Sequence, residues 1–382
     1  MLYRRFGKTN EMVSALGFGC MRLPLLNKED NSSIDEELAT KMIRYAIDNG
    51  VNYIDTAYPY HGAKWGVGGE SEPFVGKALK DGYREKVNIA TKLPSWFIKT
   101  REDMDKYLNE QLQRLQTDHI DFYLIHSLDK GNWAKVKNAG LKDFLDTAIK
   151  DGRIRYAGFS FHDNVDLFYD IVDGYDWSFC QVQFNYVDEH FQAGIEGIEY
   201  AAKKDLGIVV MEPIKGGNLA KVPDDIKSVF DSQGIDRTPA GWALKWVWNH
   251  PQVSVILSGM SDMQQTIENV TLANEATPNT LSKQELETID KVKKIFNDRM
   301  KVNCTGCEYC MPCPQGVAIP RLFREYNTHF MYDKEPSLRF IEPSQMPENC
   351  IECGLCETKC PQGLHIIQEL KNVDELFSKY KK

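Results

Sequence analysis

The sequence has no apolar run approaching 18 residues, so no segment reads as a membrane-spanning helix. It has no tract of basic residues either. Net charge is −9, with acidic residues spread along the chain, which argues against nucleic acid or an anionic membrane as the main partner. Met1–Asn10 is not an apolar leader, and 382 residues is too long for a small disulfide-stapled secreted domain. A cytoplasmic chain is expected, and its 42% apolar residues are enough for a large core and about two domains.

Cysteine breaks the evenness. Eight of the ten fall in two short runs. The first reads Cys304-Thr-Gly-Cys307-Glu-Tyr-Cys310-Met-Pro-Cys313-Pro314. The second reads Cys350-Ile-Glu-Cys353-Gly-Leu-Cys356-Glu-Thr-Lys-Cys360-Pro361 and keeps the bacterial ferredoxin spacing C-x2-C-x2-C-x3-C-P unaltered. The first has two residues, not three, before Cys313. Three thiolates spaced by two residues wrap one cubane, while the fourth, before a proline, is aimed away and often serves the other cluster. A zinc site needs only four thiolates, usually as two separated pairs. Two [4Fe–4S] clusters are therefore expected on Cys304, Cys307, Cys310, Cys313, Cys350, Cys353, Cys356 and Cys360.

Ahead of these runs, strand-like and helical stretches alternate every 30 residues or so. The strand candidates are Leu16–Met21, Tyr53–Ala57, Val87–Leu93, Ile120–Ser127, Tyr156–Ser160, Phe179–Asn185, Gly207–Ile214 and Ser254–Gly259. They lack polar alternation, as strands covered by helices do. Ser33-x-x-Glu36 and Ser282-x-x-Glu285 read as capping boxes, and Thr238-Pro239 as a helix start. Eight strands alternating with eight helices predict an α/β fold, a (β/α)8 TIM barrel, with an N-terminal β-hairpin around Gly7–Asn10. The expected organisation is a barrel over 1–280, a connecting helix over 281–299 and a small, mainly helical ferredoxin-type iron–sulfur domain over 300–382, with Ile319–Phe330 helical.

In such a barrel the chemistry belongs at strand C-termini. Strand two ends in Asp55-Thr56-Ala57 with Tyr60 just beyond; strand three carries Lys92; strand four carries His126. A lysine beside a tyrosine favours phenolate, and an aspartate keeps the lysine charged. That makes Tyr60 a proton donor to a carbonyl oxygen, with His126 orienting it. Asp55, Tyr60, Lys92 and His126, in this order and strand placement, resemble the tetrad of the aldo-keto reductases, and the resemblance runs from about Met1 to Asp298. With the cysteine tail, the chain resembles the iron–sulfur-containing branch of that family. The resemblance implies reduction of a small aldehyde or ketone, or the reverse alcohol oxidation, by NADPH or NADH.

It also implies a nucleotide pocket, only partly retained. Ser160 and Gln181 match the residues that hold the carboxamide, while Phe161 stands where asparagine is usual and Met211 where an aromatic stacks. Ser258, Gly259, Ser261, Gln265 and Asn269 follow strand eight, and the basic residues many relatives carry at Ser261 and Gln265 are missing. Lys215 is a candidate replacement charge, or a solvated lysine before a turn. Trp65, Trp96, Phe97 and Trp133 read as pocket lining or lid packing, Gly66–Gly69 as a flexible lid, His162 as surface loop, and Cys20 and Cys180 as core. Two rival functions stay open. One takes electrons from ferredoxin or flavodoxin through the clusters; the other is an electron-transfer or redox-sensing subunit with a non-catalytic barrel.

Overall fold

The computed structural model describes residues 1–64, 67–339 and 341–380. Two short strands, β1 (Tyr3–Arg5) and β2 (Met12–Ser14), pair antiparallel as the expected hairpin. Eight more follow: β3 (Leu16–Gly19), β4 (Tyr53–Asp55), β5 (Asn88–Leu93), β6 (Ile120–Leu128), β7 (Ile154–Phe161), β8 (Phe179–Gln183), β9 (Gly207–Met211) and β10 (Val255–Ser258). All pair parallel with their neighbours in chain order, and β10 returns to β3 to close the barrel. β3, β4, β8 and β10 are buried at every residue, which is why the sequence shows no alternation there.

The hairpin plugs the barrel floor. The Phe6 ring lies 4.6 Å from Phe122, 5.3 Å from Phe179 and 6.0 Å from Tyr53. Tyr53, Phe179 and Gly207 open their strands, so Phe6 enters from the N-terminal side. Gly207 makes the space: a methyl group there would meet the Phe6 ring at 2.8 Å.

Local signals held unevenly. The Ser282–Glu285 capping box forms, and Pro239 opens the helix Pro239–Trp248. The Ser33–Glu36 box does not. Asp35 caps the helix Glu36–Asp48 by accepting from the Leu38 N–H, while the Ser33 hydroxyl bonds Asn27 within the preceding loop. After β6 there are two helices, Lys130–Asn138 and Leu141–Lys150, separated at Gly140 with φ +89°.

The chain forms two compact units, residues 1–220 with 240–281 and residues 221–239 with 282–382. In the second, helices Ile319–Tyr332 and Ile366–Phe377 share a core of Leu322, Phe323, Leu370, Val373 and Phe377. The helix Lys283–Arg299 brings in residues 221–239, because Arg299 clasps both oxygens of Asp225 at 2.7 Å. No helix among the described residues is long and apolar enough to cross a membrane.

Replacing Phe6 with Ala leaves a hole among three rings, and we expect the barrel to lose about 3–5 kcal/mol in urea denaturation. A change below about 1 kcal/mol would show that the floor packs without Phe6.

Candidate active site

Parallel pairing of β4 with β5 aligns Asp55 with Ala90, so Lys92, two residues on, rises on the same inward face. Its ammonium donates to both Asp55 oxygens, at 2.8 and 2.7 Å, and to the Thr56 carbonyl at 2.7 Å. Lys92 has no exposed surface and Asp55 is 3% exposed, so this ion pair is dry. The same ammonium sits 4.9 Å from the centre of the Tyr60 ring. The His126 ring lies 6.0 Å from Tyr60, nearly perpendicular to it, and 4.9 Å from Trp96. The four residues of the tetrad thus converge.

Their ionisation follows from burial first. Burial pushes the Asp55 carboxyl up against the pull of Lys92. Burial works against a charged Lys92, but Asp55 and the Tyr60 phenol outweigh it and the lysine is held charged. For Tyr60 the sequence suggested a lowered phenol. Lys92 does pull that way, yet burial, with Asp55 adding to it, wins, and the phenol lies above its usual range. Burial, Lys92 and His162 together hold His126 far below the usual imidazole range, so it is neutral. Its Nδ1 is buried without a hydrogen-bond partner.

Several supporting residues carried no sequence signal. Gly69 packs against the Tyr60 backbone so closely that a methyl group there would sit 2.0 Å from the Tyr60 carbonyl oxygen. Gly69, at the end of the expected lid, thus lies packed against the Tyr60 backbone; Trp65 and Gly66 lie outside the described residues. His61, with φ +59°, accepts the Leu23 N–H at Nε2 and therefore donates Nδ1–H to the Asn31 carbonyl. Behind β5, buried Glu72 accepts from Thr91, Gln111 and Arg114, and Gln111 also donates to the Lys92 carbonyl. These hydrogen-bonded partners are 19 to 42 positions apart and follow no short motif.

On the nucleotide side, the Ser160 hydroxyl accepts the Ser127 N–H at 2.7 Å. The Gln181 amide nitrogen meets the Met211 sulfur at 3.5 Å, and its Oε1 is buried without a partner. Phe161 turns away, its ring on Phe168. Ser258 and Asn269 are buried and bond each other at 3.0 Å. Gln265 folds onto the Ser261 N–H and Asp262, next to Gly259 and Met260. Lys215 is paired with Asp188 rather than solvated. Of the rim aromatics, Trp96 touches His126, whereas Phe97 stacks on Tyr107 and Trp133 packs on Trp177. His162 is partly buried beside Gln192, not a free surface loop. Cys20 and Cys180 are fully buried.

In the second unit one cavity is lined by Cys310, Cys313, Cys350, Cys353 and Cys356. Cys304 instead neighbours Cys307 and Cys360. Cys310 and Cys313 of the first run thus both face the second, and Cys360 of the second lies near Cys304. Asn327 fixes the approach to Cys304 by accepting the Lys301 and Val302 N–H groups and donating to the Val302 carbonyl.

Neutralising one member of the buried pair strands the other. We expect Asp55→Asn to cost about 3–5 kcal/mol in chemical denaturation, and Asp55→Leu combined with Lys92→Met to cost less than Asp55→Asn alone. Equal or greater loss in the double variant would show that the pair stabilises the fold on its own account.

Comparison with known proteins agrees with this fold. Residues 15–294 match the model of the aldo/keto reductase family, and residues 303–365 match the 4Fe-4S dicluster domain. L-galactose dehydrogenase of Arabidopsis thaliana is 25% identical over 76% of this chain and 93% of its own length. Protein tas of Escherichia coli is 27% identical over 78% of this chain and 99% of its own. The holo form of aldo-keto reductase AKR11C1 from Bacillus halodurans superimposes with a TM-score of 0.63, at 27% identity, covering 76% of this chain and 96% of that one. The chain is an oxidoreductase of the aldo/keto reductase family, with a 4Fe-4S ferredoxin-type region at its C-terminal end.

Proposed function

We propose that this protein reduces a small aldehyde or ketone with a nicotinamide cofactor, Tyr60 giving the proton. The observation that carries this is the dry Lys92–Asp55 pair set against a Tyr60 phenol that keeps its proton. A carbonyl oxygen arriving at Tyr60 would meet the phenol, with the neutral His126 imidazole beside it as a second hydrogen-bonding group. As negative charge grows on that oxygen, Tyr60 passes its proton across, and the phenolate left behind is stabilised by the Lys92 ammonium. Asp55 keeps Lys92 charged and in place throughout.

The residues present fit a nicotinamide. A carboxamide offers an N–H to the bare Gln181 Oε1, and its carbonyl can accept from the Ser160 hydroxyl, whose own proton is unused by the Ser127 contact. When bound, the nicotinamide supplies the hydride. We assign the cysteines to two [4Fe–4S] clusters, one on Cys304, Cys307, Cys310 and Cys360, the other on Cys350, Cys353, Cys356 and Cys313. When bound, these supply one-electron transfer. The reduced thiols this requires support a cytoplasmic location for the proposed enzyme.

A second reading takes electrons from ferredoxin or flavodoxin through the clusters, and the pairing of Lys215 with Asp188 favours it by withdrawing one cation from the nucleotide loops. Anaerobic titration with NADH and NADPH separates the two. Bleaching of the cluster absorbance would put the clusters on the hydride's electron path; binding without bleaching would leave them a separate role.

Tyr60→Phe is expected to lower kcat/KM for carbonyl reduction by about 10²–10⁴-fold, and unchanged turnover would overturn the assignment. Because the phenol lies above its ordinary value of about 10, reduction should stay level through neutral pH and fall only in strong alkali, while alcohol oxidation rises there. A fall in reduction between pH 7 and 8 would contradict a raised Tyr60. The loaded protein should hold about eight irons and Cys353→Ser about half of them; full iron in that variant would remove Cys353 from the ligand set.

A further inference from the structure

Relatives place cations where Ser261 and Gln265 stand here, yet the loop after β3 delivers one from another direction. Arg22 follows the end of β3 by three residues. Its aliphatic stem lies along Gly259, where a methyl group would meet the Arg22 Cβ and Cδ at 3.3 Å. Its guanidinium reaches the loop after β9, where a methyl group on Gly216 would meet Nη2 at 3.3 Å. Gly216 has φ +64° and Gly217 φ +98°, so the backbone there is bare as well as turned. Arg22 therefore bridges the loops that follow the first, seventh and eighth barrel strands.

Its charge is unspent. Arg22 is exposed, and none of the described residues gives its guanidinium a carboxylate, carbonyl or hydroxyl partner. The other nearby ionic groups are engaged: Lys215 with Asp188, and Asp262 with Gln265. On the same rim, β8 holds the opposite kind of vacancy, the Gln181 Oε1, in a residue 2% exposed. A buried amide acceptor and a free cationic fork are the two features that an amide-bearing dinucleotide phosphate would satisfy together.

We propose that Arg22 binds the pyrophosphate of the nicotinamide dinucleotide, supplying a cation beside the loop after β10. This rests on the nicotinamide reading above. The planar guanidinium matches two phosphate oxygens at once, which a lysine does not. Arg22 meets the loop at Gly259, before Ser261 and Gln265, where relatives carry the bases that hold the 2′-phosphate. That order makes it a pyrophosphate contact, serving NADH and NADPH alike.

The test is anaerobic fluorescence titration of the cluster-loaded full chain with NADH and with NADPH, in wild type, Arg22→Gln and Arg22→Lys. Arg22→Gln should weaken both nucleotides equally, by about 10- to 100-fold, with an unchanged circular dichroism spectrum. Arg22→Lys should recover part of the loss. Equal affinity in wild type and Arg22→Gln would overturn the role of Arg22 and leave the nicotinamide reading standing. A loss confined to NADPH would overturn the pyrophosphate assignment. Wild-type protein that binds neither nucleotide would overturn the nicotinamide reading, and this inference with it.

Discussion

A lysine and an aspartate buried together at the mouth of a barrel constrain everything around them. Taking both charges out of water costs several kcal/mol per ion, and their attraction repays it only when every donor and lone pair is used. Here the Lys92 ammonium has three acceptors, two from Asp55 and one from Thr56. The strand ends that supply them cannot shift without stranding a charge. The Glu72–Gln111–Thr91 network fixes the outer side of β5 in the same way, with its own carboxylate fully enclosed. An apolar core this large does not need such a pair for stability, since well-packed apolar residues of like volume usually serve as well. On the proposed reading its value lies in the field it projects on the Tyr60 phenol.

That field is opposed by burial, and the balance gives the site a direction. In a wetter mouth Lys92 would favour phenolate, and Tyr60 would act as a base toward an alcohol. Here burial outweighs that pull and the phenol is held above its usual range, which under the proposed reading suits it to protonating a carbonyl oxygen. His126 is held neutral by the same dryness and by the nearby Lys92, so it adds no competing charge. On the proposed reading, the packing around these groups is part of the acid–base chemistry. Trp96 against His126 and Gly69 against the Tyr60 backbone are the pieces of it seen at closest quarters.

How far the sequence carried the structure depended on whether a feature was local. The eight strands were legible because strands buried on both faces become short apolar runs, and the four polar residues because Asp55, Lys92 and His126 lie at or near the ends of three consecutive strands and Tyr60 follows the first of these. The cysteines were legible because a cluster demands fixed spacing. Arg22, His61, Glu72 and Gly69 were not, since each acts through a partner brought near only by closure of the barrel. The start of the first helix was misread for a different reason. Ser33 and Asp35 are both good caps, and Ser33 is already occupied by Asn27 across the loop. The direction of the Tyr60 phenol was misjudged because a neighbouring charge is visible in sequence and the degree of burial is not.

The cysteine-rich unit sets the remaining constraint. Two clusters would carry two electrons, the number in a hydride, but they accept them singly. The groups in the barrel mouth are a phenol, an ammonium, a carboxylate and an imidazole, which move protons and do not store one electron at a time. Coupling a hydride to the clusters therefore calls for a further centre of the flavin type, which passes electrons in ones and twos. If the clusters serve instead to hold their own fold together, no such centre is required, and the short spacing before Cys313 becomes a matter of packing. The two roles differ in what they demand of the ligands: an electron path needs a matched potential at each cubane, whereas a structural one needs only that the thiolates stay bound.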